Sequence, residues 1–180
     1  MKKIFLLAAM IVTLISCTAF AAQNSSGKSY KSTKVVIIAG AEFKTADYYK
    51  LIQKNLGVKS KIVYECGDEI QRKYQLFMMN RYDIGENTPR KQDLIDFASS
   101  NGYGKTLFLL LDENIDTQNN GKSRQKNRST IQLDAYLVNE SKIVDFTTTS
   151  QDFISKTSNL RARRGAFEKC LKEIAIVMNL

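Results

Sequence analysis

Apolar positions recur along the chain in three rhythms, and each change of rhythm marks a change of element. Residues 34–40 (KVVIIAG) form a continuous run rich in β-branched side chains, the pattern of a strand buried on both faces. Thr45 stands where it can cap a helix whose Tyr48, Leu51, Ile52 and Leu56 share one face, and Gly57 closes that helix. Residues 60–66 (SKIVYEC) read as a second strand, after which Asp68 opens a helix carrying Ile70, Tyr74, Phe77 and Met78. Thr88-Pro89 starts a third helix, with Leu94, Ile95 and Ala98 on one face, because proline at the first helical position forfeits no intrahelical hydrogen bond. Asn101-Gly102 stops it.

Residues 105–112 (KTLFLLLD) are again continuously apolar and predict a central strand. Residues 114–129 are polar, carry Lys122, Arg124, Lys126 and Arg128 without an aromatic, and read as a long mobile basic loop. From Thr130 the period becomes two: Ile131, Leu133, Ala135 and Leu137 alternate with Gln132, Asp134 and Tyr136, as in a strand with one wetter face. Residues 139–142 form a turn and 143–149 the returning strand of a hairpin. Residues 160–178 close the chain as a helix with Arg163, Phe167, Cys170, Leu171, Ile174 and Met178 near one stripe. The order β-α-β-α-α-β-β-β-α predicts an α/β fold, a two-layer or three-layer sandwich with a mixed sheet of about five strands. The early strands connect through helices and should lie parallel; the late hairpin is antiparallel, and helices pack over the sheet.

The front of the chain has a different grammar. Lys2 and Lys3 precede an uncharged stretch, residues 4–15, as in a secretory signal peptide. A dozen apolar residues fall short of the roughly 20 that a hydrocarbon core about 30 Å thick requires. Small residues in 19–21 (AFA) predict cleavage before Ala22, whereas 14–17 (LISC) resembles a lipobox that would make Cys17 the lipidated first residue and anchor the protein to a membrane. The expected organisation is a signal at 1–21, a flexible Ser- and Lys-rich leader at 22–33 and one α/β domain at 34–180, exported to the periplasm or cell envelope.

Composition narrows the chemistry. The signal holds two of the 27 basic residues and none of the 18 acidic ones, leaving a net charge of +7. In an exported protein that charge points to acidic envelope partners or anionic envelope surfaces before nucleic acid, and membrane association is expected only if Cys17 is lipidated. The chain contains no histidine, which removes Ser-His-Asp and Cys-His nucleophiles, imidazole bases and His-containing zinc sites. Cys66 and Cys170 remain after processing, and an oxidising compartment permits a disulfide if the fold brings their Cα atoms within about 4.4–6.8 Å.

Three sets of residues carry candidate chemistry. Acids follow each early strand, Glu42 after the first, Glu65 and Asp68 after the second, Asp112, Glu113 and Asp116 after the third, where open α/β sheets gather ligands; converging carboxylates would hold a hard cation. Basic residues form two clusters, Lys122, Arg124, Lys126 and Arg128 in the predicted loop and Arg161, Arg163 and Arg164 opening the last helix. Positive charge in a first turn opposes the helix macrodipole, a broken local rule that hints at an anionic partner. Ser25-x-x-Lys28 and Ser123-x-x-Lys126 match a serine-lysine pattern but lie in polar segments without the helix start that chemistry needs.

The second half also resembles a known group of domains. Asp-Phe-Ala-x-x-x-Gly-Tyr-Gly at 96–104 leads into the 105–111 strand, followed by the alternating Leu133-x-Ala-x-Leu137 strand, the return strand opening Lys142-Ile-Val-Asp145, and a long closing helix. This order is similar to the α/β domain of Gram-negative envelope proteins: the N-terminal part of the Tol-system periplasmic protein, the curli-secretion lipoprotein and the peptidoglycan-synthase-activating lipoproteins. The resemblance implies a non-catalytic interaction or assembly module that binds other envelope components and needs no cofactor. The competing expectation is a small exported enzyme or cation-binding protein using the strand-end acids.

Overall fold

The computed structural model describes residues 32–57, 61–82, 88–118 and 126–180. The signal segment, Cys17, most of the leader, Lys122 and Arg124 lie outside the described residues. The elements run β1 (Ser32–Ile38), a short 3-10 turn (Ala41–Phe43), α1 (Ala46–Leu56), β2 (Val63–Glu65), α2 (Asp68–Met79), α3 (Lys91–Ser100), β3 (Lys105–Gln118), β4 (Lys126–Asn139), β5 (Lys142–Ser155) and α4 (Asn159–Val177). The sheet order is β2-β1-β3-β4-β5. β1 lies parallel to both β2 and β3, while β3–β4 and β4–β5 are antiparallel.

Strand parity sorts the core into two layers, because successive side chains leave opposite faces of the sheet. Val35, Ile37, Leu107, Leu109, Leu133 and Ala135 meet Tyr48 and Ile52 of α1 and Phe167, Leu171 and Ile174 of α4. Val36, Phe108 and Val138 point the other way, against Tyr74 of α2 and Leu94, Phe97 and Ala98 of α3. The fold is therefore a three-layer sandwich, and β1 is apolar from Val35 to Ile38 because both faces are covered there. Each of the buried Val, Leu, Ile and Phe side chains contributes about 1.5–3 kcal/mol.

The second layer covers only the part of the sheet near β1. Past Phe108 and Tyr136, alternate residues on that face, among them Asp112, Asn114, Gln132, Thr148 and Ser150, are exposed. This open face accounts for the main departure from expectation. Residues 114–129 are not one long loop: β3 continues to Gln118 and β4 begins at Lys126, with Asn114 opposite Thr130 and Asp116 opposite Arg128. Ladder hydrogen bonds do not require apolar side chains, and here Asn127 and Ser129 turn inward while Lys126 and Arg128 face water.

Smaller boundaries move as well: β2 is confined to Val63–Glu65 within the expected 60–66, and β5 runs on to Ser155 instead of ending at 149. The third helix begins at Lys91 rather than at Pro89, and the Asp93 carboxylate caps it by accepting from Arg90 N at 2.7 Å. Cys66 and Cys170 are free thiols. Cys66 follows β2 and donates to the Tyr49 carbonyl, whereas Cys170 donates to the Ile131 carbonyl of β4. β1 and β3 separate β2 from β4, three strand spacings of about 4.8 Å each, beyond the reach of a disulfide.

Candidate functional site

The carboxylates expected to converge do not. Glu65 is held by Lys34 and Ser32, whose bonds keep its pKa below the ordinary carboxylate range. Asp68 sits in the first turn of α2, where the macrodipole favours it, and accepts from Tyr49 Oη at 3.2 Å. Asp112 and Glu113 are consecutive in β3 and leave opposite faces of the sheet. Among the described residues, no three acidic or cysteine side chains gather closely enough to hold a metal ion. The reason is that β3 does not end at Asp112, so its acids lie along a strand instead of at a strand end.

The arginines opening α4 also separate. Ser158 caps the helix by accepting from Arg161 N at 3.2 Å. Arg163 turns inward and donates from Nε to Glu113 Oε2 at 2.7 Å, with its guanidinium 5.2 Å from the centre of the Phe43 ring. Ser129 Oγ donates to the other Glu113 oxygen at 2.8 Å, so that carboxylate, 8% exposed, is fully engaged. The charge of Arg163, one turn into the helix, is therefore compensated by a near-buried ion pair supplied by β3. Arg128 pairs with Asp152 at 3.1 Å on the open sheet face, away from α4.

Arg161 and Arg164 remain on the outside of α4, and there they border a groove of about 580 Å³. Its apolar lining comes from Leu51 of α1, Phe153 of β5 and Leu160 of α4. Phe153 lies so close to the helix that a side chain at Gly165 would meet its ring at 2.4 Å; the absence of a Cβ there is what lets the ring seat. Lys169 and Lys172 add two further cations to the lining. The sequence carried a signal for them, since basic residues at 161, 164, 169 and 172 recur at intervals of three to five and so fall along one side of a helix.

The groove's charges are loosely committed. Arg161 makes no ion pair among the described residues, and Arg164 reaches Asp47 at 3.2 Å with both side chains substantially exposed. Lys169 donates to the Asp152 carbonyl at 2.9 Å and lies 5.6 Å from the centre of the Phe153 ring. Lys172 shares Glu168 with Lys54, at 3.2 and 3.4 Å. Burial alone would raise the Glu168 pKa, but the bonds from Lys172 and Lys54 hold it below the usual carboxylate range. Exposed pairs of this kind contribute about 0–1 kcal/mol each, so an incoming anion displaces them at little cost.

No family model matches the chain, and no curated protein matches its sequence. Its structure is similar, at low identity, to solved lipoproteins of Gram-negative bacteria. Lipoprotein GNA1162 from Neisseria meningitidis is 13% identical with a TM-score of 0.46, the match covering 83% of this chain and 98% of that one. PelC from Paraburkholderia phytofirmans, solved as a dodecamer, is 9% identical with a TM-score of 0.45 over 86% of this chain and 92% of the other. A minor lipoprotein from Acinetobacter baumannii is 10% identical with a TM-score of 0.29, covering 83% and 89%.

Proposed function

We propose that this protein is an exported, non-catalytic component of the bacterial envelope that binds an acidic face of another envelope protein through the groove beside α4. The observation that supports this reading most directly is the pairing of four cations, Arg161, Arg164, Lys169 and Lys172, with an apolar lining in one open groove. Cations of this kind steer an acidic partner and fix its orientation, while Leu51, Phe153 and Leu160 supply the apolar contact that makes docking persist. The histidine-free sequence supports the non-catalytic part of the reading. The groove suits a surface better than a small substrate, because it is an open trough between α1, β5 and α4 instead of an enclosed pocket.

The test is a crosslinked-partner census in the native host with the full chain and with Arg161→Glu/Lys172→Glu. The wild type should capture an acidic envelope protein that the variant loses while keeping its melting temperature. The same partners captured by both would overturn the reading, as would binding of wild type to anionic phospholipid vesicles with no protein partner lost. Intact mass of the mature protein completes the picture: we expect a chain starting at Ala22, whereas a lipid-modified chain starting at Cys17 would make it a membrane-anchored component.

A further inference from the structure

The sheet has two outer strands that are built very differently. β2 is three residues long, too short to template another strand, whereas β5 has fourteen residues and, among the described residues, no strand on its outer side. Natural sheets blunt such edges with charge, proline or bulges. β5 has one irregularity, where its pairing with β4 shifts at Leu137/Val138, and from Asp145 to Ser155 its register is unbroken. Between Asp145 and Asp152 that segment contains no proline, no glycine and no charge.

The exposed side chains of this segment are symmetric about its centre. Phe146 is 47% and Ile154 53% exposed, and they lie four residues either side of Ser150 on the same, open face of the sheet. We propose that β5 pairs antiparallel with β5 of a second copy of this chain, about a twofold axis at Ser150, joining two five-stranded sheets into one of ten. In that register Phe146 faces the second copy's Ile154 twice over, and Thr148 faces Asp152. Asp145 faces Ser155, so no like charges oppose each other. Even-numbered residues meet even-numbered residues, so the backbone groups that β4 leaves unpaired on one strand meet those left unpaired on the other. A patch that is its own complement is what a twofold dimer requires.

Two groups compete for this edge and must let go as the strands join: Lys169 Nζ donates to the Asp152 carbonyl at 2.9 Å, and the Asp145 carboxylate accepts from Phe146 N at 2.8 Å. The mature chain should therefore sediment as a dimer, and Lys169→Ala should dissociate less readily than wild type. Phe146→Lys/Ile154→Lys, two exposed positions that set lysine against lysine across the axis, should give monomers with an unchanged circular dichroism spectrum. Ser150→Cys should form a covalent dimer on mild oxidation, since facing residues across an antiparallel ladder lie within disulfide reach. A wild type that stays monomeric throughout the concentration range overturns the proposal. So does a dimer that survives the double lysine change or fails to crosslink through Ser150→Cys.

Discussion

Glu113 and Arg163 stand fifty positions apart in the chain and 2.7 Å apart in the fold, tying the middle of β3 to the first turns of α4. Removing one partner of so enclosed a pair strands the other charge. Glu113→Ala should cost about 3–5 kcal/mol in urea unfolding, and adding Arg163→Met should recover much of the loss. That role was not legible in the sequence, where Glu113 stood among strand-end acids and Arg163 among helix-start arginines. Residue type and spacing show that a charge is present; only the register of β3 against β4 shows which way it points. The apolar residues were more readable: Tyr48, Ile52, Leu94, Phe167 and Ile174, each identified by helical spacing, are buried. Arg161 and Arg164 border the groove instead, and nothing in their segment of sequence separated them from Arg163.

At the scale of elements, all nine helices and strands expected from the sequence occur in the expected order. What failed were ends: β1 stops short of its apolar run, at Ile38, and β2 is confined to Val63–Glu65, while elsewhere polar residues still take part in a regular element. The outer parts of β3 and β4 alternate one kind of polar residue with another, so period two left no mark in the hydrophobic pattern. The start of α3 slipped because its cap is not the proline but Asp93, three residues into the helical segment. That carboxylate is 1% exposed, accepts from Arg90 N, receives Tyr82 Oη at 2.9 Å and pairs with Arg81 at 3.0 Å. Charge-assisted hydrogen bonds of this kind are worth about 1.5–3 kcal/mol each, so Asp93→Ala should lower stability by at least about 2 kcal/mol. Asp93→Asn, which keeps an acceptor without the charge, should lose less, both read by denaturant midpoint.

The whole molecule should respond to alkali more sharply than to mild acid. Burial pushes the Cys66 thiol to about 12 and raises that of Cys170, and burial also lifts the Tyr48 and Tyr49 hydroxyls to about 12, with Asp68 assisting at Tyr49. Tyr74 is raised by burial too. In the unfolded chain these groups ionise near their ordinary values of 9.0 and 10.0. A group whose folded pKa lies above its unfolded one keeps its full contribution at lower pH and loses it as pH rises. Stability should therefore be level through neutral pH and fall steadily from about pH 9 upward, as measured by denaturant titration at each pH. Cys66→Ser should flatten the first part of that decline. The three-layer arrangement itself was readable only as a choice between two and three layers, because a run apolar on both faces shows that something covers each side without saying which helix.

The meander of β3, β4 and β5 has a further consequence, for the order in which the chain assembles. Its strands are sequence neighbours closed by short connections, so they meet after little loss of chain entropy, while β1 and β2 must wait for distant segments to arrive. The three long strands are thus the natural nucleus, and α4, emerging directly after β5, can dock onto them at once. The N-terminal strands, emerging first during synthesis, would be the last to find their places. A chain that crosses a membrane amino end first and unfolded completes its sheet only when its carboxyl end has followed.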